Sequence, residues 1–103
     1  MSIRYVDSST IMDLGEKIRF KSKVEPVCGV DIPFSIISAD YELIFVDVDA
    51  ETETVEDAGT CNINDHTLDA LIEPQKVGTY CLRFTYRIAD EIWVDNYRIK
   101  VKG

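Results

Sequence analysis

The feature that most constrains the fold of this chain is an alternation of apolar and polar side chains with period two. The alternation is clearest from Gly78 to Ile88, GTYCLRFTYRI, and it returns in Lys17–Val24 and in Ile92–Lys102. Successive side chains of a β-strand point to opposite faces, so this period is typical of strands with one buried face. An α-helix would instead repeat its apolar residues with a period of about 3.6. The pattern therefore predicts an all-β chain.

The placement of turn residues predicts one small domain. Proline, glycine, asparagine and aspartate interrupt the apolar runs every 8 to 12 residues or so, which gives about seven strands. A chain of 103 residues holds one core, so we assign residues 1–103 to a single antiparallel β-sandwich. We further expect an extended edge segment at Asp31–Ser38, one strand at Gly59–Asn64, and at most a single helical turn at Ser9–Leu14.

The segment LIEPQKVGTY, Leu71–Tyr80, resembles the crossing between the E and F strands of immunoglobulin-like domains. In that class a Gly-x-Tyr opens strand F, and the tyrosine hydroxyl bonds back to the backbone of the corner. Gly78 and Tyr80 would then form the structural corner. Cys81 directly follows Tyr80, and the sole tryptophan, Trp93, lies in the last predicted strand, so the chain departs from antibody domains. The resemblance implies an immunoglobulin-like antiparallel β-sandwich of about seven strands, without their inter-sheet disulfide.

The order of these signals also resembles small immunoglobulin-like domains of tailed-bacteriophage virion proteins, such as the N-terminal domain of upper baseplate proteins. The segments that carry the likeness are Ile32–Leu43, Gly59–Pro74 and Gly78–Glu91, and the likeness extends over about Pro33–Val101. It implies a non-enzymatic component of a phage or prophage head, neck or tail, made in the bacterial cytoplasm and located in the virion. Its partners would be other virion proteins or copies of itself in a homo-oligomer.

The composition excludes several other classes. Nineteen acidic against eleven basic residues give a net charge of −8, which repels the phosphate backbone of nucleic acids. We expect neither a signal peptide nor a membrane anchor, because no apolar run is long enough. The three cysteines, Cys28, Cys61 and Cys81, lack CxxC spacing, so neither a disulfide framework nor a zinc site is predicted. No motif for a cofactor or another metal is present.

The most acidic segment, FVDVDAETETVEDAG from Phe45 to Gly59, is open to three interpretations. We favour a solvated hairpin tip, then a docking surface, and last a loose oxygen cage for calcium. An EF-hand loop counted from its first aspartate would need glycine and glutamate where Thr52 and Ala58 stand, so that motif is excluded. The acids are Asp47, Asp49, Glu51, Glu53, Glu56 and Asp57.

A basic stripe contrasts with this acidic segment. Four cations occupy alternate positions of one predicted strand: Lys17, Arg19, Lys21 and Lys23. The simplest interpretation is a solvated sheet face. Together with the acids, however, the stripe would suit a head-to-tail contact between copies, which is the geometry that closes into rings.

The remaining candidates favour structural roles. His66 follows the turn signal Asn64-Asp65 and has no nucleophile near it in sequence, so we expect a solvated turn residue. Cys61 is predicted to be an apolar filler and Cys81 a partly exposed thiol, as is Cys28.

Two further groups are open to a functional interpretation. Asp90, Glu91 and Asp95 could imitate an acid–base pair, but hairpin turns favour such residues anyway. Trp93 and Tyr97 could stack a sugar, although their parity predicts core positions.

The rival functions are therefore an acidic inhibitor or nucleic-acid mimic, and a calcium- or carbohydrate-binding module. An enzyme ranks last, because the sequence offers no recognisable nucleophile, base or cofactor cradle.

Overall fold

The computed structural model describes residues 10–24 and 35–103, and these residues form eight β-strands. The prediction of an all-β fold is confirmed. No helix within these two ranges is long and apolar enough to cross a membrane. The strands are β1 Thr10–Asp13, β2 Ile18–Lys23, β3 Ile36–Asp47, β4 Thr52–Thr60, β5 Asn62–Asn64, β6 Thr67–Ile72, β7 Gly78–Ile88 and β8 Glu91–Lys102.

The strands form two sheets that pack as a sandwich. The large sheet has the order β1-β8-β7-β3-β4, and the small sheet has the order β2-β6-β5. Neighbours are antiparallel, except that β1 runs parallel to β8. The predicted β-sandwich is confirmed, with eight strands instead of about seven.

The core lies between the sheets and is built by the alternation seen in the sequence. In β7, Tyr80, Leu82 and Phe84 are fully buried. An aromatic cluster joins the two sheets, because the Phe20 ring of β2 lies 6.1 Å from Phe84 and 5.0 Å from Tyr97 between centroids. In β6, the inward side chains are Leu68, Ala70 and Ile72, as predicted from their spacing.

The predicted corner is confirmed. The Tyr80 ring is fully buried, and its hydroxyl accepts a hydrogen bond of 3.1 Å from the Lys76 backbone N–H. Gly78 has φ +145°, and a Cβ at this position would lie 3.0 Å from the Phe45 ring. The Phe45 ring packs edge-on against Tyr80 at 5.2 Å between centroids. Glycine is therefore required here both by the backbone conformation and by the close approach of a ring.

The predicted single strand at Gly59–Asn64 is wrong, because the chain changes sheets within it. Gly59 and Thr60 end β4 in the large sheet, whereas Asn62–Asn64 form β5 in the small sheet. At the crossing, the Cys61 N–H bonds the Ala39 carbonyl at 2.9 Å and the side chain enters the core. Cys61 is therefore the apolar filler that was expected, but Ile63 is exposed and does not share its face.

Two predictions of exposure were also wrong. Trp93 is not a core residue, because 38% of it is exposed and its indole N–H donates to Glu91 near the β7–β8 turn. Cys81 points away from the core as expected, yet it is fully buried rather than partly exposed. Its thiol lies 3.4 Å from the Asn96 amide oxygen, and Ile44 is its cross-strand partner. Cys28 lies outside the described residues.

Two expectations about local structure have different outcomes. The residues from Thr10 to Asp13 form β1 rather than a helical turn, because they pair with the closing strand; Ser9 lies outside the described residues. Residues 31–34 of the proposed edge segment also lie outside them. Residues 36–38 begin β3 and pair with β7 alone, because β4 pairs with β3 only from Asp40 onward, so this part of the segment lies at an edge among the described strands.

Candidate functional site

The six acids do not form one loop. Asp47 ends β3, Asp49 and Glu51 lie in the turn at residues 48–51, and the other three acids belong to β4. The turn is held by the Asp47 carboxylate, which accepts hydrogen bonds of 3.1 Å from the backbone N–H groups of Asp49 and Ala50. The prediction of a solvated hairpin tip therefore describes only this turn. The rest is an edge strand that carries Glu53, Glu56 and Asp57.

The acidic residues are not gathered around a common point. Among residues 10–24 and 35–103, no group of three or more His, Cys, Asp or Glu side chains is placed to hold a metal ion. The Asp47 carboxylate, the first ligand in the calcium interpretation, is directed at backbone amides instead.

The basic stripe lies on β2, an outer strand of the small sheet. Arg19, Lys21 and Lys23 point to the solvent side of this strand, whereas Phe20 and Ser22 face inward. The Arg19 guanidinium forms a 2.6 Å ion pair with Asp69 on β6. Lys17 stands one residue before the strand. The predicted basic outer face is thus present as an exposed edge strand.

The basic and acidic strands lie at opposite margins of the sandwich. β2 lies over β7 and β8, since Phe20 packs on Phe84 and Tyr97, and the Ser22 hydroxyl is 2.6 Å from the Tyr97 hydroxyl. β4 is at the far end of the large sheet, beyond β3. Arg19, Lys21 and Lys23 are therefore exposed at one margin and Glu53 at the other, whereas Lys17 lines the same cleft as Glu56 and Asp57.

A bulge in β4 turns Glu56 toward the core. The register of β3 and β4 shifts between Leu43, which pairs with Asp57, and Ile44, which pairs with Val55, so Glu56 is the additional residue. Its carboxylate accepts hydrogen bonds from the Tyr80 hydroxyl at 2.5 Å and from the Gln75 N–H at 2.8 Å. Burial and then the Glu56 carboxylate raise the pKa of the Tyr80 phenol to about 12. Sequence reasoning missed this role, because no residue type marks the bulge.

The adjacent carboxylate has a similar partner. The Tyr41 hydroxyl donates to Asp57 at 3.1 Å, and burial together with Asp57 raises the pKa of this phenol. Gly59 is opposite Tyr41 in the ladder, and a Cβ there would lie 3.1 Å from the ring. Asp57 is thus directed to the inner side of β4 rather than away from the molecule.

A cleft opens where the small sheet is narrower than the large one. β5 pairs with only three residues of β6, so the second half of β6 has no neighbour on that side among the described strands. The space between β6 and β4 has a volume of about 450 Å³. Its walls include Lys17, Tyr41, Glu56, Asp57, Leu71 and Glu73. Only the two β4 acids and Lys17 had been chosen as candidates from the sequence.

The other candidates take structural positions. His66 is in the β5–β6 turn, with its Nε2 3.8 Å from Asp65. Burial raises the pKa of the Cys61 thiol to about 11, which keeps it protonated at neutral pH and weakly nucleophilic. Asp95 accepts a hydrogen bond from the Tyr86 hydroxyl at 2.9 Å. Tyr97 is within the aromatic cluster, so it does not form a sugar-stacking platform with Trp93.

Comparison with known proteins returns no relative from which a function could be transferred. The sequence matches no protein-family model, and no curated protein matches it.

Proposed function

We propose that this protein is a non-enzymatic assembly module that docks through edge strands of opposite charge. The observation that supports the proposal is the placement of the basic strand β2 and the acidic strand β4 at opposite margins of one sandwich. A contact that joins β2 of one copy to β4 of the next uses different surfaces on the two copies. Such a heterologous contact repeats from copy to copy and closes into a ring when the rotation allows it.

Both strands have the properties that strand-to-strand docking requires. Neither β2 nor β4 has a neighbour on its outer side among the described strands, and an unpaired strand edge exposes backbone N–H and C=O groups that can pair with another chain. Charge then selects the partner, because β4 against β4 would oppose carboxylates, and β2 against β2 would oppose ammonium and guanidinium groups. The mixed pair is the favourable one.

The biological setting that we propose is a phage or prophage particle, in which this chain would be a head, neck or tail component. The proposal draws on the resemblance of Ile32–Leu43, Gly59–Pro74 and Gly78–Glu91 to immunoglobulin-like domains of virion proteins. The buried corner at Tyr80 agrees with the immunoglobulin-like part of that resemblance. The partner would be another copy of the chain or a neighbouring virion protein with a matching edge.

Size-exclusion chromatography with light scattering tests the docking. Salt screens exposed charges within about 10 Å at 0.1 M, so mass should fall as the salt concentration rises from about 0.05 M to about 0.5 M. We expect the substitution Lys21→Glu to reduce the mass at low salt more than Arg87→Glu, which makes the same change of net charge at an exposed position of β7, a strand with neighbours on both sides. A monomer at every concentration and at both salt levels would contradict contact between copies.

A further inference from the structure

Among the strands that the structure describes, none lies beside the second half of β6 on the side away from β2. On one side, Ala70, Leu71 and Ile72 pair with β2. On the other side, β5 pairs only with Thr67–Asp69, so no described strand pairs with the last three residues of β6 there. Within residues 10–24 and 35–103, the small sheet therefore has a gap beside β6, over the inner side of β4.

The ladder shows which backbone groups are open in this gap. The Val24 N–H donates to the His66 carbonyl at 2.7 Å, so even-numbered residues of this segment bond toward β2. In an antiparallel ladder the next residue points its N–H and C=O to the opposite side. Leu71 therefore directs both groups into the gap, and among the described residues no backbone bond reaches them there.

The cleft beside Leu71 has a defined chemistry. Three carboxylates line it, those of Glu56, Asp57 and Glu73, against the single cation of Lys17. Hydrogen bonds from tyrosine hydroxyls hold the two β4 carboxylates in place. The Leu71 side chain is 40% exposed on the outer face of the small sheet. The site therefore combines a free strand edge, an apolar contact on the outer face and anchored negative charge on the inner side.

We propose that this cleft binds an extended basic peptide segment of a partner protein by strand addition to Leu71. The residue opposite Leu71 would exchange both ladder bonds with it and pack an apolar side chain beside it. The residues on either side of that central one would point inward, where lysine or arginine would meet Glu56 and Asp57. The recognised pattern is basic–apolar–basic.

The occupant differs from the β2 strand of a second copy. In a second copy, β2 is paired with β6 and packs on the large sheet through Phe20, so it would bring a folded sandwich with it. The cleft therefore suits a segment without a sandwich behind it, and this inference is independent of the docking between copies.

Peptide titration against the full chain tests the proposal. The probe is a fluorescein-labelled nine-residue peptide with Lys-Val-Lys at its centre and serine and threonine on both sides. Two control peptides have Glu-Val-Glu at the centre, or Lys-Val-Lys with an N-methyl group on the valine amide. The N-methyl group removes one ladder bond but keeps the charge, so we expect affinity to fall about fivefold or more. No binding is expected for the acidic peptide.

Two variants of the protein distinguish peptide binding at the cleft from general electrostatic attraction to an acidic protein. Asp57→Asn keeps the shape of the side chain and removes one cleft charge, whereas Asp49→Asn removes an identical charge from the turn after β3. We expect the first to weaken peptide binding about threefold or more and the second to change it little. Slower hydrogen exchange of the Leu71 N–H on peptide addition gives a measure that needs no variant. Equal binding of the N-methylated peptide, equal losses in both variants, or unchanged exchange at Leu71 would overturn the proposal.

Discussion

Glu56 is the residue at which the acidic strand and the buried corner meet. Its two carboxylate oxygens accept the Tyr80 hydroxyl and the Gln75 N–H, so one side chain ties β4 to the segment that enters β7. A carboxylate that accepts two such bonds holds both donors in a fixed geometry, since charged acceptors form stronger hydrogen bonds than neutral ones. We therefore expect the position of the edge strand to depend on the tyrosine corner.

Tyr80→Phe should reveal the strength of this link. The change keeps the ring that packs on Phe45 and removes only the hydroxyl that joins Lys76 and Glu56. We expect the free energy of unfolding, measured by urea denaturation, to fall by about 1 to 3 kcal/mol. Tyr41→Phe is the matched control, because its pair with Asp57 is exposed, and it should lose about 1 kcal/mol or less. Equal losses in the two variants would contradict a special role for the corner.

The raised pKa of the Tyr80 hydroxyl predicts that the protein loses stability at alkaline pH. Burial and Glu56 raise the pKa of Tyr80 from 10.0 to about 12, so the folded protein holds this proton more tightly than the unfolded chain does. Its contribution to stability is therefore complete below pH 10 and is lost as the pH rises toward 12. Urea denaturation over this range should show a steeper decline in the wild type than in Tyr80→Phe. Parallel declines would show that this phenol is not the group responsible.

At the scale of the strands, the sequence predicted those elements whose alternation is unbroken. β7 was predicted with its observed ends, Gly78 and Ile88, because every second residue is large and apolar. The sheet change at Cys61 was missed, since alternation gives the face of a side chain but not which sheet its backbone joins. The bulge at Glu56 was missed for a related reason: it reverses the parity of β4 in a segment with no apolar stripe.

The candidate site was predictable to a lesser extent. The basic strand was found because its cations alternate with core residues such as Phe20. The cleft was not found, because it arises from the short length of β5, and because Leu71 of β6 and Glu73 just after it are distant in sequence from Glu56 and Asp57 of β4. A sequence pattern within one strand cannot show a gap between two.

The β7–β8 hairpin contains a residue that its turn does not favour. Ala89 and Asp90 form a two-residue loop between the paired residues Ile88 and Glu91, and Ala89 has φ +54°. A positive φ at the first central position suits glycine. Ala89→Gly should therefore raise the free energy of unfolding by about 0.5 to 1 kcal/mol. Asp90→Gly, at a position without positive φ, should lower it, and thermal melts of the two variants should shift in opposite directions.

For the whole molecule, the distribution of charge matters more than the net charge of −8. The excess of acids makes copies repel one another at long range, while β2 and β4 attract at contact. Association should therefore depend on short-range pairing of the two edges, with net repulsion limiting nonspecific aggregation. A heterologous contact and a symmetric dimer also predict different results when two edge variants are mixed.

Two charge-reversal variants separate these possibilities when they are mixed. Lys21→Glu impairs the basic edge and leaves β4 intact, whereas Glu53→Lys impairs the acidic edge and leaves β2 intact. Each variant alone should associate more weakly than the wild type, because every contact then pairs one native edge with one altered edge. In the mixture, the native β4 of the first variant can bind the native β2 of the second, and the glutamate introduced at position 21 can face the lysine introduced at position 53, so both contacts pair opposite charges. Light scattering should therefore detect larger mass in the equimolar mixture than in either variant alone. No gain in mass on mixing, or full association of either variant alone, would show that the copies do not join through these two strands.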